Sequence, residues 1–176
     1  LGASTLAMRR HIQQPDCRII SIDNSTAMLA RCQSIIATDT HETPVTLTCA
    51  DVQDVVIANA SVVVLNFTLQ FIPRELRDRV ISGIYDGLLP GGVMVLSEKV
   101  TFEDPHLDEL NIELHHQFKR ANGYSELEVA RKRSALETIL LPETLNRHRQ
   151  RIASAGFSSC DVWFQCFNFA SLIALK

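Results

Sequence analysis

Asp23, Asp51, Asn66 and Glu98 each stand where a short apolar run of the sequence breaks off. Runs rich in β-branched residues read as strands, and in a parallel sheet the carboxyl ends of the strands share one crevice where ligands bind. The chemistry of the four differs. A carboxylate at position 23 offers acceptors to both hydroxyls of a nucleoside sugar, although a strand-terminal Asp is also a common helix-start residue. Asp51 can accept from an adenine amino group, and Asn66 can hold a ligand amine through its side chain or its backbone carbonyl. Glu98, followed by Lys99, reads more simply as a residue paired with its neighbours. Gly2 lies about 20 residues before Asp23, the separation expected between a nucleoside-approaching glycine and a ribose-binding acid.

Other polar groups are weaker candidates. His115 and His116 are adjacent, and neighbours on a helix diverge by about 100°, so they do not chelate one ion; no metal site is expected. No Ser-His-Asp or Cys-His signature is present, and no residue is assigned as catalytic. Lys119-Arg120 and Arg131-Lys132-Arg133 read as solvated helix faces, though an arginine aimed into the crevice would suit a carboxylate, which it binds bidentately.

The elements that position these residues alternate. A helix from Ser4 to about His11 precedes the strand ending at Asp23. Asn24 or Ser25 then caps a helix with Met28, Leu29, Cys32, Ile35 and Ile36 on one stripe. Val45 to Cys49 alternates like a strand, and Ser61 to Leu65 is the unbroken apolar run of a strand buried on both faces. Pro73 opens a helix with Leu76, Val80, Ile84 and Leu88 on one face, closed by Pro90-Gly91-Gly92, and Val93 to Leu96 is the next strand. Leu107, Leu110, Leu114 and Phe118 define a helix whose outer face would carry His115, His116 and Lys119. Ser125 with Glu128 forms a capping box for another helix. Leu145 and Ile152 mark a further helix ended by Gly156, and two strands over Cys160 to Phe169 and Ser171 to Leu175 form an antiparallel hairpin. The expected fold is α/β and Rossmann-like, a mostly parallel sheet finished by that hairpin, with residues 1–176 as one domain and 103–141 as a helical insertion covering the site.

Bulk properties restrict the function classes. The 176 residues are 46% hydrophobic and 21% charged, with mean hydropathy +0.06, as in an ordinary globular domain. A net charge of −3 and a pI near 6.1 argue against a surface built to hold nucleic acid or membrane. Five cysteines form no CxxC pair and read as buried thiols of a reducing, cytoplasmic environment. No apolar run approaches the ~18 residues of a membrane span, and no signal peptide is visible. The opening Leu-Gly-Ala-Ser-Thr reads as the tail of a glycine-rich loop, so a preceding portion containing a first strand is expected.

Three segments carry a family resemblance: Asn59-Ala60-Ser61 with Val64 to Phe71, His115 to Glu128, and Trp163-Phe164-Gln165-Cys166-Phe167-Asn168-Phe169. In these segments, and over essentially its whole length, the chain resembles the carboxy-S-adenosylmethionine synthases. The resemblance implies a class I methyltransferase fold that does not methylate. It implies conversion of S-adenosyl-L-methionine and prephenate into carboxy-S-adenosyl-L-methionine, with release of phenylpyruvate. A separate tRNA carboxymethyltransferase would use the product on the wobble uridine. The family's binding positions fall on Asp23 and Asn24 (ribose and adenosine side), Asp51 and Val52 (adenine), Asn66 (cofactor) and Arg133 (the extra carboxylate). A homodimer is implied; the acidic balance of 17 Lys and Arg against 20 Asp and Glu separately argues against direct tight binding of tRNA. The family's Asp-Leu-Gly-Cys-Ser loop and an upstream tyrosine would precede Leu1. The chemistry is coherent: a sulfonium acidifies its methyl protons, and CO2 leaving prephenate as its ring becomes aromatic can be captured in a dry pocket. The alternatives are an ordinary methyltransferase on the same fold and a non-catalytic nucleoside-binding module.

Overall fold

The computed structural model describes residues 2–125, 127–128 and 139–176. The chain forms two compact units, Leu1–Val55 and Val56–Lys176.

In the first unit α1 (Ala3–His11), β1 (Ile19–Asp23), α2 (Thr26–Thr38) and β2 (Val45–Cys49) follow one another. The two strands are parallel and level, with Ile19 opposite Val45 at one end and Asp23 opposite Cys49 at the other. Ser25 caps α2: its Oγ accepts from the Met28 amide at 3.3 Å. Of the expected stripe only Cys32 is fully buried; Leu29 and Ile36 are half-buried, and Met28 and Ile35 lie at the exposed margin. Gly2 has φ 74, and a Cβ there would collide with the Cys32 thiol. Its glycine therefore lets the start of α1 close on α2.

The second unit holds β3 (Ala60–Asn66), α3 (Arg74–Gly87), β4 (Leu88–Thr101), α4 (Pro105–Ala121), β5 (Glu143–Thr144), α5 (Leu145–Ser154), β6 (Ser159–Cys166) and β7 (Phe169–Leu175). The sheet order is β3-β4-β7-β6, with the short β5 beside the end of β4. β3 and β4 are parallel, while β7 is antiparallel to both β4 and β6, as the expected hairpin requires. Along β4, Met94, Leu96, Glu98 and Val100 face one fully buried side, where α3 contributes Val80, Ile81 and Ile84 and α5 contributes Ile152. Each such aliphatic side chain contributes about 1.5–3 kcal/mol on burial. Gly156 follows α5 at φ 108, and a Cβ there would lie 2.9 Å from the Tyr85 ring, so this C-terminal cap also lets the chain pass the aromatic.

Two expectations need correction, and one buried charge was not foreseen. Leu107, Leu110, Leu114 and Phe118 do form one stripe of α4, but the stripe is exposed (39–52%). The half-buried side carries His115, His116 and Lys119 instead, with the His115 ring 4.8 Å from that of Phe169. A periodic stripe states which residues share a face but not which way that face turns, and here it is the His115 side that meets the Phe169 ring of β7. The thiols are free but not all buried: Cys49 and Cys166 are exposed. On α3, Arg77 joins the apolar face and is wholly buried. Its Nε donates to the Ile72 carbonyl at 2.9 Å and its Nη2 to the Gln70 carbonyl at 3.3 Å, and Nη1 pairs with Glu143 at 2.5 Å.

Candidate functional site

At the carboxyl end of β1 and β2 the expected nucleoside residues come together. Asp23 is exposed, and its Oδ1 accepts from the Ser25 amide at 2.8 Å, which starts the turn into α2. The acid is thus a helix-start residue and a solvent-facing carboxylate at once. One residue on, Asn24 Nδ2 donates to Asp51 Oδ1 at 2.8 Å, and the Ala50 amide donates to the Asp23 carbonyl at 3.2 Å. Val52 opens a single 3-10 turn, in which the Asp54 amide donates to the Asp51 carbonyl at 3.0 Å. Level strand ends deliver two loops side by side, and their crossing hydrogen bond fixes both. The arrangement fits a nucleoside: an outward carboxylate for a diol, and a second acid beside Val52 for a base. A larger depression of about 640 Å³ lies at the opposite, amino end of these strands. Its Arg9 is already held by the Thr43 and Ile36 carbonyls at 2.9 and 3.1 Å and faces Asp39 at 3.6 Å.

In the second unit a cavity of about 390 Å³ lies along one row of the sheet, lined by Asn66, Phe67, Ser97, Trp163, Phe164, Phe169, Ala170 and Ser171. Asn66 is opposite Ser97, Ser97 opposite Ser171, and Ser171 opposite Phe164, so the row crosses all four strands. Side chains alternate along each strand, and the preceding row, Leu65, Leu96 and Leu172, points to the buried core. Ser97 and Ser171 share a hydroxyl–hydroxyl bond of 2.9 Å, and the Trp163 indole Nε1 donates to Ser171 Oγ at 2.6 Å. After Asn66 the chain turns sharply: Phe67 has φ 54, and its amide donates to the Ser97 carbonyl at 2.7 Å. The Phe67 ring stands edge-on to Phe169 at 5.8 Å.

Glu98 falls one position beyond this row and points to the other face, away from the cavity. Its carboxylate is fully buried and accepts from three successive amides, Thr68 at 3.1 Å, Leu69 at 2.8 Å and Gln70 at 3.0 Å. It holds the loop that leaves Asn66, which agrees with the sequence reading of a residue paired with its neighbours. Burial pushes its carboxyl up to about 7, against the pull of the three amide donors. Behind it Glu143 receives Arg151 at 2.9 Å as well as Arg77, and Arg151 Nε reaches Asp78 at 2.6 Å. His148, buried beside this cluster, has no partner for either ring nitrogen among the described residues, and burial lowers it to about 4.

Arg133 lies outside the described residues, as do Arg131 and Lys132. The capping box just before them is formed: the Ser125 amide and hydroxyl both donate to Glu128 Oε2, at 2.9 and 2.7 Å, and the Glu128 amide returns to Ser125 Oγ at 3.3 Å. Arg120 pairs with Glu113 at 2.7 Å on the exposed side of α4. No group of three or more His, Cys, Asp or Glu among the described residues is placed to hold a metal ion, and none of their helices is long and apolar enough to cross a membrane. Sequence reasoning missed the serine pair and the aromatic wall of the cavity; the hairpin signal located their strands but not their register.

Comparison with known proteins follows the same lines. Residues 1–92 match the methyltransferase domain family. The chain is 60% identical over its full length to the carboxy-S-adenosyl-L-methionine synthase of Geobacter metallireducens, covering 72% of that protein. The protein of the same name from Shewanella baltica is 57% identical, with the same coverage. Among solved structures, an O-methyltransferase family 2 protein from Planctomyces limnophilus superposes with TM-score 0.69 at 18% identity, over 99% of this chain and 48% of its own. The S-adenosylmethionine-dependent methyltransferase SibL gives 0.67 at 15%, over 99% and 47%. The chain therefore spans about half the length of these solved structures, and its fold is that of the class I methyltransferases.

Proposed function

The chain belongs to the carboxy-S-adenosyl-L-methionine synthases, and we propose that it makes carboxy-S-adenosyl-L-methionine from S-adenosyl-L-methionine and prephenate. The observation that carries this reading is the crossing of the Asn24 and Asp51 loops at the end of β1 and β2, in a chain that matches its relatives over the whole of its own length. Asp23 takes the ribose diol, Asn24 supports the adenosine side, and Asp51 with Val52 takes the adenine. Asn66 holds the amino-acid part of the substrate, and Arg133 receives the added carboxylate. The bound sulfonium supplies an acidified methyl group; the chain supplies orientation and exclusion of water, and no side chain is assigned as base.

The product serves a separate tRNA carboxymethyltransferase in wobble-uridine modification. With 17 Lys and Arg against 20 Asp and Glu, the chain does not itself hold tRNA tightly at physiological salt. We read residues 1–176 as one domain, with 103–141 as the insertion over the site, acting in the cytoplasm. The exposed leucine stripe of α4 supports a homodimer.

The test is incubation of the purified protein with S-adenosyl-L-methionine and prephenate, with mass spectrometry of the products. A nucleoside heavier by one carboxylate, formed together with phenylpyruvate and only when prephenate is present, is expected. Methyl transfer to an acceptor without that product would favour the ordinary methyltransferase, and absence of any turnover would favour a binding module.

A further inference from the structure

We propose that the cavity over the Asn66–Ser97–Ser171 row is the subsite for the ring of the carboxyl donor, with Trp163, Phe67 and Phe169 as its walls and the two serine hydroxyls as its floor. This rests on the reading of the function given above, since it is that reaction which calls for a ring-bearing acid beside Asn66.

The first observation is the wall itself. Trp163 is the extra residue of a β-bulge: Val162 is opposite Leu172 and Phe164 opposite Ser171, so Trp163 has no partner in the ladder. In a regular strand Trp163 and Phe164 would point to opposite faces, yet both line this cavity. The bulge adds an indole to a face that already holds Phe67 and Phe169. The His115 ring of α4 meets that of Phe169 at 4.8 Å.

The second observation is the polar floor. An indole N–H can only donate, so Ser171 Oγ accepts from Trp163. Of the two serine protons, one bridges Ser97 and Ser171 and the other remains for the cavity. The result is one hydroxyl donor at the base of an aromatic slot. A cyclohexadiene carrying one ring hydroxyl matches it: the faces stack, and the hydroxyl meets the serine pair.

The third is size and polarity. About 390 Å³ falls in the range of small-molecule sites. The apolar walls favour loss of a carboxylate as neutral CO2. In that step the ring–carboxyl bond breaks, and its electron pair enters the ring as the ring hydroxyl departs. That hydroxyl leaves as water, with the proton given up by the sulfonium methyl group, and the electron pair left on that methyl carbon forms the new carbon–carbon bond to the CO2. The ring becomes aromatic, so stacking on Trp163 and Phe169 strengthens along the reaction.

Trp163 is the only tryptophan in the sequence, so its fluorescence reports the subsite without turnover. Prephenate or phenylpyruvate titrated onto the protein loaded with S-adenosyl-L-methionine should change the emission saturably. Trp163→Leu and Phe169→Leu should each raise KM for prephenate about tenfold, while the affinity for S-adenosyl-L-methionine stays within about twofold and Trp163→Phe recovers most of the loss. Wild-type emission that ignores both acids, with KM unchanged in Trp163→Leu, would overturn the subsite. So would emission that follows protein concentration instead of the acids, because the wall would then be covered by a second copy. The two readings fail separately: saturable emission without carboxylated product keeps the subsite and removes the function, and carboxylated product with silent emission and an unchanged KM in Trp163→Leu does the reverse.

Discussion

Asn24 Nδ2 and Asp51 Oδ1 meet at 2.8 Å across the ends of two parallel strands. The bond ties the proposed ribose side and the proposed adenine side of the nucleoside site into one edge. Asn24→Ala should weaken S-adenosyl-L-methionine by about 1 kcal/mol, the net worth of a hydrogen bond that orders a site, without removing any proposed ligand contact except its own. Asp23→Ala removes charge-assisted bonds to a diol and should weaken it by about 1.5–3 kcal/mol per bond. Calorimetric titration of both variants checks the order; equal affinity in Asp23→Ala and wild type would take Asp23 out of the site.

Arg133 should decide between the two nucleosides. A guanidinium fork repels a sulfonium and neutralises an added carboxylate with two parallel bonds. Arg133→Ala is expected to lose preference for carboxy-S-adenosyl-L-methionine over S-adenosyl-L-methionine by about 1.5–3 kcal/mol, and Arg133→Lys to recover part of it. Competitive binding of the two compounds to all three proteins measures this, and equal discrimination throughout would refute it.

Glu98 gives the fold a pH dependence of unusual sign for a carboxylate. Its folded value is raised from 4.5 to about 7, so its contribution is fully present below 4.5 and disappears as pH rises through 7. The amount is about 3 kcal/mol. Relative to Glu98→Gln, wild type should gain stability as pH falls from 7 to 4.5, read by denaturant unfolding at each pH.

His148 works in the opposite direction. Its folded value is lowered from 6.5 to about 4, so its contribution is present above 6.5 and is lost as pH falls through 4. The amount is again about 3 kcal/mol. Over 4.5–6.5 the two contributions nearly cancel. Wild type should therefore look level in that window, while His148→Leu alone should gain stability toward acid and Glu98→Gln alone should lose it. A steep wild-type profile with level single variants would contradict this.

Much of the architecture was legible because it depends on local pattern. The apolar runs that stop at Asp23, at Asp51 and at Asn66 are short, and a strand end followed by a capped helix needs no distant partner to be recognised. The closing hairpin is legible for the same reason. Arg77 was not, because a charge on α3 looks solvated until Glu143, 66 residues later in the chain, returns to meet it. The two-residue β5 is too short to leave a period. The cavity floor depends on Ser97 facing Ser171, a register between strands far apart in sequence, and a bulge at Trp163 erases the alternation that would have assigned its face.

That bulge has a second effect, on how the sheet meets other chains. β6 ends the strand order, and a strand in that position offers a template on which an extended segment of another molecule can add. Aromatic residues such as Trp163 and Phe164 would make such an addition adhesive. The extra residue breaks the template in two, so an incoming strand can keep its register on one side of Trp163 or the other but not through it. The irregularity that turns the indole toward the cavity thus also guards the edge against fibre-like growth.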